Sequence, residues 1–160
     1  MLDDMTVLVV GAGPTGLTAA ALLAEQGVAC IVVERRTDVS ALPRAVHLDD
    51  ETMRILQQVG VMEQFLPLTR PALGMRLVDA QLRTMVQFDR SRTVGVHGYP
   101  QANLFHQPDL ERVLRERVAG LELVELRTGV DLVALDGTTA TLRSVRTGAE
   151  STVVSAGVLG

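Results

Sequence analysis

The sequence predicts an α/β fold, with a parallel sheet built on a βαβ unit and an antiparallel β meander beyond it. An apolar run at residues 5–10 leads without a spacer into Gly11-Ala-Gly-Pro-Thr-Gly16, a segment rich in Ala and Leu, and a second apolar run. At residues 75–88 apolar and polar residues alternate, which is typical of antiparallel strands. Asp136-Gly137, between two such runs, is a strong hairpin signal.

The first elements follow the order strand, glycine turn, helix, strand. Residues 5–10 are continuously apolar and β-branched, as in a strand buried on both faces. A helix is predicted over residues 17–26, with Gly27 as its C-terminal stop. The second strand covers residues 28–33 and ends at Glu34.

A loop at residues 35–45 and a helix at residues 47–59 come next. The predicted inward face of this helix consists of Leu48, Thr52, Ile55, Leu56 and Val59. Asp49, Asp50 and Glu51 suit its positive N-terminal end. Because consecutive helical positions do not converge on one ion, these carboxylates predict no metal site.

The rest of the chain is predicted to contain one hairpin, one long helix and short strands. A helical turn at residues 61–66 ends at Pro67, and the alternation at residues 75–88, broken at 79–81, predicts the hairpin. After a loop at residues 91–101, Pro108 suits the first position of a helix. The residues predicted to face inward on that helix are Leu110, Val113, Leu114 and Val118. Strands are expected at residues 121–126, 130–135, 139–145 and 152–155.

Composition and charge restrict the class of protein. With 160 residues, 47% of them hydrophobic, the chain is long enough for one domain with a core. A net charge of −4 gives no reason to expect a nucleic-acid or anionic membrane surface. Residues 5–33 are apolar, but no positive charge precedes them and glycines interrupt them, which argues against a signal peptide or membrane span. The single cysteine, Cys30, is expected in the core of a cytoplasmic protein.

The glycine spacing has a physical reason at each position. Gly11 permits the tight exit from the strand, Gly13 lets a pyrophosphate approach the backbone, and Gly16 lets helix and strand pack closely. The N–H groups at the helix N-terminus then face the phosphates, and Pro14 costs little at an early helical position. This is the Rossmann-like dinucleotide-binding pattern. A purely structural turn is the alternative that these residues leave open.

Glu34 follows the glycines by about 20 residues, at the end of a strand, where a carboxylate accepts hydrogen bonds from an adenosine ribose. Its charge disfavours a ribose 2′-phosphate and therefore NADP. Arg35 and Arg36 weaken this argument, since a guanidinium binds such a phosphate. Between NAD and FAD, the antiparallel pattern after the second predicted helix favours FAD, because NAD domains continue with further βα units.

Two further segments carry a resemblance to a known family. Pro43-Arg44-Ala45 is followed by Asp49-Asp50-Glu51, Arg54, Gln57 and Val59-Gly60, and Gln107-Pro108 leads into Leu110-Glu-Arg-Val-Leu114. Over essentially its whole length the chain resembles the FAD-dependent aromatic hydroxylases, the group A flavoprotein monooxygenases. Within that group it is most similar to the 3-(3-hydroxyphenyl)propionate hydroxylases.

This resemblance implies how the first unit would hold FAD. Gly11, Gly13, Pro14 and Gly16 would lie against the pyrophosphate. Glu34 would hold the adenosine ribose, in agreement with the reading of the residues alone. Two weaker contacts would lie on the adenosine side, Arg35 along it and Val130 touching the adenine through its backbone.

Arg44 and Gln107 are implied to contact the same cofactor further along, at the pyrophosphate and the ribityl chain. The physical case for Arg44 is charge complementarity with a dianionic pyrophosphate. Taken alone, Arg44 is equally well an exposed loop arginine, and Gln107 a helix-capping residue.

The resemblance also implies a reaction. NADH or NADPH reduces the FAD transiently, and O2 supplies the hydroxyl group that is transferred to a phenolic aromatic acid or related ring. The chain is therefore predicted to be the FAD-binding portion of such a monooxygenase. No catalytic residue is named, because no partner carboxylate is identifiable for His47, His97 or His106, and loop or core roles are expected for all three.

The chain departs from the family in its extent. A Gly-Ala-Asp-Gly-like motif and a Gly-Asp motif are absent, and Val158-Leu159-Gly160 resembles the lead-in to the first. We therefore expect residues 1–160 to be the N-terminal part of an incomplete FAD-binding domain, inactive alone, as a fragment, a truncated product or a misread gene end. About residues 73–106 would be an excursion toward the substrate domain. Another FAD-dependent oxidoreductase and a non-catalytic nucleotide-binding fragment stay open, as does homo-oligomer formation.

Overall fold

The computed structural model describes residues 6–90 and 94–160. Met5, in the first predicted strand, and residues 91–93, in a predicted loop, lie outside that range. The chain divides into two units, the first formed by Met1–Leu42 with Leu110–Gly160 and the second by Pro43–Asp109. The predicted excursion at residues 73–106 stays a prediction.

The elements are numbered in chain order. The helices are α1 (Pro14–Glu25), α2 (Asp50–Val59), α3 (Met62–Phe65) and α4 (Gln107–Ala119). The strands are β1 (Val7–Val10), β2 (Cys30–Glu34), β3 (His47–Leu48), β4 (Arg70–Pro71), β5 (Gly74–Val78), β6 (Thr84–Asp89), β7 (Asn103–Leu104), β8 (Val124–Thr128), β9 (Val130–Asp136), β10 (Thr139–Ser144), β11 (Glu150–Val154) and β12 (Gly157–Leu159). Leu66–Leu68 forms one turn of 3-10 helix directly after α3. Pro67 therefore lies inside a helical turn, and the helical segment that was predicted to end at Pro67 continues to Leu68.

The first unit is built on a parallel sheet in the order β12-β1-β2-β8, which confirms the predicted βαβ unit. Helix α1 begins at Pro14, the early helical position expected for this proline, and thus extends three residues before the predicted segment at 17–26. The return of β8 and β12 to the parallel sheet was not predicted. Short alternating runs show which face is buried but not the direction of the strand.

A three-stranded antiparallel meander, in the order β11-β10-β9, packs on this sheet. The predicted hairpin at Asp136-Gly137 is confirmed, since Asp136 pairs with Thr139 and Gly137 has a φ of +57°. The core between the two sheets consists of Leu8, Val33, Ala140 and Leu142, all buried. Side chains alternate across a strand, so Val9 lies on the opposite face of β1, against Gly16 of α1. The parallel sheet is thus covered on both faces, as its apolar runs predict.

The second unit contains a small antiparallel sheet, in the order β3-β7-β4, and the helices α2 and α3. Helix α2 does not begin at residue 47, because His47 and Leu48 pair with β7 and the Asp49 side chain caps the helix instead. Its buried face is Met53, Leu56 and Val59, so the predicted face was wrong in omitting Met53.

Strands β5 and β6 form the predicted hairpin, and both are exposed along their whole length. The predicted break at residues 79–81 is the turn, where the Asp79 carboxylate accepts the backbone N–H groups of Gln81 and Arg83, both at 2.9 Å. Within residues 6–90 and 94–160, none of the helices is long and apolar enough to cross a membrane.

Candidate functional site

The glycine turn connects β1 to α1 at the carboxyl edge of the parallel sheet. Gly11 has a φ of +104°, which side-chain-bearing residues rarely adopt, and its N–H donates to the Val33 carbonyl at 2.8 Å. No side chain caps the start of α1 at Gly13. Since the first N–H groups of a helix have no intrahelical acceptor, they face the space beyond the turn and suit an anion.

Gly13 and Gly16 differ in what the protein itself demands of them. A Cβ at Gly16 would collide with the Gly11 carbonyl oxygen and come within 3.2 Å of the Val9 side chain, so the packing of α1 requires glycine there. At Gly13 a Cβ would meet no atom within 4 Å, and the φ of −78° suits any residue. The open space at Gly13 fits a pyrophosphate that approaches the backbone.

Glu34 closes the turn from the end of β2. Its Oε2 accepts the Ala12 N–H at 3.0 Å, and its Oε1 accepts the Arg36 N–H at 2.9 Å. Neither partner was anticipated from the sequence, because backbone N–H groups carry no residue-type signal. The carboxylate is half-buried, so part of it still faces solvent.

The two weaker adenosine-side assignments lie near this end of β2 as well. Arg35 is exposed and immediately follows Glu34. Val130 begins β9 and is half-buried against the core, while the preceding Gly129 N–H donates to the Arg36 carbonyl at 3.4 Å. The structure therefore brings the glycine turn, Glu34 and the start of β9 to one edge of the first unit, where α/β sheets bind ligands.

In the second unit, Gln107 and Arg44 are brought together although 63 residues separate them. The Gln107 side chain is buried, and its Oε1 accepts the backbone N–H groups of both Arg44 and Ala45 at 2.8 Å. Arg44 itself is exposed. Gln107 thus holds the loop at Arg44, a role that neither the helix-cap nor the cofactor reading of the sequence included.

The histidines show one pairing that the sequence analysis missed. His106 Nδ1 lies 3.1 Å from Asp109 Oδ2, a carboxylate partner that was not identified from the sequence; the three-residue spacing at a helix start was the available signal. The pair is solvent-accessible and lies at the start of α4, with His106 immediately before the helix and Asp109 in its first turn. The His97 backbone N–H donates to Asp50 Oδ2 at 3.3 Å, and His47 lies exposed in β3.

Cys30 lies in the core, as predicted. It is buried in β2, and burial raises the pKa of its thiol. A raised pKa lowers the thiolate fraction, which agrees with a packing role for this cysteine.

Comparison with known proteins places these features in a family. Residues 4–160 match the family described as FAD binding domain. The chain is 42% identical over 132 residues to a probable NADH-specific resorcinol 4-hydroxylase of Rhodococcus jostii (strain RHA1), a match that covers 81% of this chain and 24% of the relative. It is 41% identical over 119 residues to a 3-(3-hydroxy-phenyl)propionate/3-hydroxycinnamic acid hydroxylase of Mycobacterium avium (strain 104). That match covers 74% of this chain and 20% of the relative. The chain thus spans about a quarter or less of the length of these curated relatives.

A solved structure agrees with this match. The flavin-dependent monooxygenase PieE, solved in complex with FAD and substrate, is similar to the chain with a TM-score of 0.79 and 26% identity. The similarity covers 98% of this chain and 30% of PieE.

Proposed function

Since the chain belongs to the FAD-binding domain family, we propose that its glycine turn and Glu34 bind the ADP half of FAD. The observation that carries the proposal is Gly13, a glycine that the protein's own packing and backbone geometry do not require. A bound pyrophosphate at the start of α1 explains why a side chain is absent there. Each carboxylate oxygen of Glu34 accepts one backbone N–H and can accept a further hydrogen bond, so both suit the ribose hydroxyls.

We propose the remaining contacts from the family resemblance. Pro14 would complete the turn, and Arg35 and Val130 would lie on the adenosine side. Arg44 and Gln107 would contact the pyrophosphate and the ribityl chain. Gln107 would also act indirectly, because its Oε1 accepts the Arg44 N–H at 2.8 Å and so positions that loop. Bound FAD would supply the redox chemistry, while these residues bind and orient it.

For the whole protein we propose the hydroxylation of a phenolic ring with O2 and NADH or NADPH. The names of the two relatives, a resorcinol hydroxylase and a hydroxyphenylpropionate hydroxylase, support a phenolic substrate, and the first favours NADH. Reduced pyridine nucleotides and a single buried thiol both suit the cytoplasm. For the 160-residue chain itself we propose cofactor binding without turnover, since it spans at most 24% of these relatives.

The test is a titration of the chain with FAD, ADP and NAD, followed by thermal unfolding and flavin fluorescence. FAD and ADP are expected to raise the Tm, and NAD is expected to have little effect. Gly13→Ala should abolish the ADP shift, because its methyl group occupies the phosphate approach. Gly157→Ala is the matched control, since a Cβ there also meets no atom within 4 Å but lies in β12, away from the turn.

Two outcomes would contradict the proposal. Preferential stabilisation by NAD would assign the turn to a nicotinamide cofactor. A folded chain that responds to none of the three ligands would leave the glycine turn as a structural connection.

A further inference from the structure

The Glu34 carboxylate connects the glycine turn with the residues that follow β2. Its side chain extends from the end of β2, and its two oxygens accept backbone N–H groups from Ala12, 22 residues earlier, and from Arg36, two residues later. The expected role of this residue involves only a ribose. Both donors are backbone N–H groups of the protein, so the carboxylate has a role in shaping the turn itself.

The hydrogen-bond pattern of β1 and β2 explains why a side chain is needed here. The parallel pairing ends with Val10 opposite Val33, and the Gly11 N–H donates to the Val33 carbonyl at 2.8 Å. At Gly11 the positive φ turns the chain out of the strand direction. The Ala12 N–H, the next along the chain, lies beyond the strand pairing, and the Glu34 carboxylate accepts it at 3.0 Å.

Ala12 would otherwise leave a buried donor without an acceptor. The residue is 1% exposed, and a buried N–H without a partner is unfavourable. The Arg36 N–H holds the other carboxylate oxygen and so fixes the orientation of the group. Each carboxylate oxygen can accept more than one hydrogen bond, which leaves capacity for two ribose hydroxyls without release of the turn.

We propose that Glu34 is a positioning residue for the phosphate-binding turn, in addition to any contact with ribose. It holds Ala12, and through Ala12 it fixes the direction in which Gly13 and the N-terminus of α1 meet a diphosphate. This inference rests on the proposed function, that the turn binds the ADP half of a dinucleotide. It predicts that Glu34 contributes to the binding of a diphosphate whose ribose has no hydroxyl groups to offer.

The test compares ADP with 2′,3′-dideoxy-ADP, by calorimetry on the 160-residue chain, in wild type, Glu34→Ala and Glu34→Gln. Glu34→Ala is expected to weaken dideoxy-ADP binding about tenfold, the size of one charge-assisted hydrogen bond, and to weaken ADP binding by more. Glu34→Gln keeps one carbonyl acceptor but sets an NH2 group against the other backbone N–H, so it should still weaken dideoxy-ADP binding. Glu125→Gln is the charge-matched control, because that exposed glutamate pairs with Arg127 on β8 and should change neither affinity.

Amide hydrogen exchange provides a second test that does not depend on the folding of Glu34→Ala. In the free protein, the Ala12 and Arg36 amides are expected to exchange slowly. In Glu34→Gln, at least one of the two, the one that faces the NH2 group, should exchange at least tenfold faster, whereas the Gly11 amide, bound to a backbone carbonyl, should change little. A loss of ADP affinity with unchanged dideoxy-ADP affinity would overturn the positioning role and leave the ribose contact. Wild-type protein that binds neither nucleotide would overturn the proposed function, and this inference with it.

Discussion

At the scale of single residues, the three glycines of the turn differ in whether the fold requires a glycine at their position. Gly16 is required by the close approach of α1 to the Gly11 carbonyl, and Gly11 by its positive φ. Gly13 has neither requirement. One motif therefore contains two glycines that the fold requires and one that it does not, and the proposed pyrophosphate contact would account for the third.

This difference predicts opposite results for two identical substitutions. Gly16→Ala should lower the free energy of unfolding by about 1–3 kcal/mol, because the methyl group collides with backbone that cannot move aside. Gly13→Ala should stay within about 1 kcal/mol of wild type. Alanine lowers the conformational entropy of the unfolded chain, and this stabilisation offsets a poorer helix cap. Urea unfolding followed by circular dichroism measures both. Equal losses in the two variants would show that Gly13 also serves packing.

Gln107 supplies a second prediction at this scale. Gln107→Leu removes the acceptor of two backbone N–H groups and should cost about 1 kcal/mol of stability, with faster exchange of the Arg44 and Ala45 amides. Gln107→Glu retains an oxygen that accepts both and should restore slow exchange. Hydrogen exchange measured by NMR resolves these amides individually. Unchanged exchange in the leucine variant would mean that the loop is held by other contacts.

At the scale of elements, local signals predicted what local sequence determines. The four predicted inward residues of α4 are all buried. They could be predicted because the proline at the helix start and the helical spacing of apolar residues both lie within one short segment. The glycine turn was found for the same reason. The start of α2 was misplaced because residues 47–48 pair with β7, more than 50 residues away. Likewise, the two amides held by Gln107 and the parallel direction of β12 depend on pairing that no short segment encodes.

The cap of α2 gives a prediction that depends on pH. The Thr52 side chain and backbone N–H hold the pKa of Asp49 below its ordinary value. A lowered pKa means that the charged cap stabilises the fold above the ordinary aspartate range, about pH 4, and that this contribution is lost as the pH falls through the lower folded value. Asp49→Ala should therefore cost about 1 kcal/mol at neutral pH and less at acidic pH.

Asp49→Asn is the matched variant for this prediction. Asparagine caps a helix as well as aspartate but does not titrate, so it should keep the stability at neutral pH. Thermal unfolding between about pH 2 and pH 6, about two units on either side of the ordinary aspartate pKa, should then show a smaller loss of stability in acid for Asp49→Asn than for wild type. An equal acid loss in both would assign the effect to other carboxylates.

At the scale of the whole molecule, the described part of the chain consists of units with different characters. The first contributes the turn at residues 11–16, Glu34 and the start of β9, which are distant in sequence and meet at one sheet edge. The second contains the β5–β6 hairpin, which is exposed along both strands and includes Leu82 at 80% exposure. Ligand binding at the sheet edge should therefore act unevenly along the chain.

Hydrogen exchange with and without ADP measures this unevenness. At a ligand concentration of about 100 times Kd, openings that break the site become less favourable by about 2.7 kcal/mol, which slows exchange about a hundredfold. We expect this protection at Ala12 and Arg36, whose amides close the turn onto Glu34. Amides of the β5–β6 hairpin exchange through local openings that leave the sheet edge intact, so ADP should not slow them. Protection of the hairpin without protection of Ala12 would place the nucleotide outside the glycine turn and contradict the assignment of the ADP site.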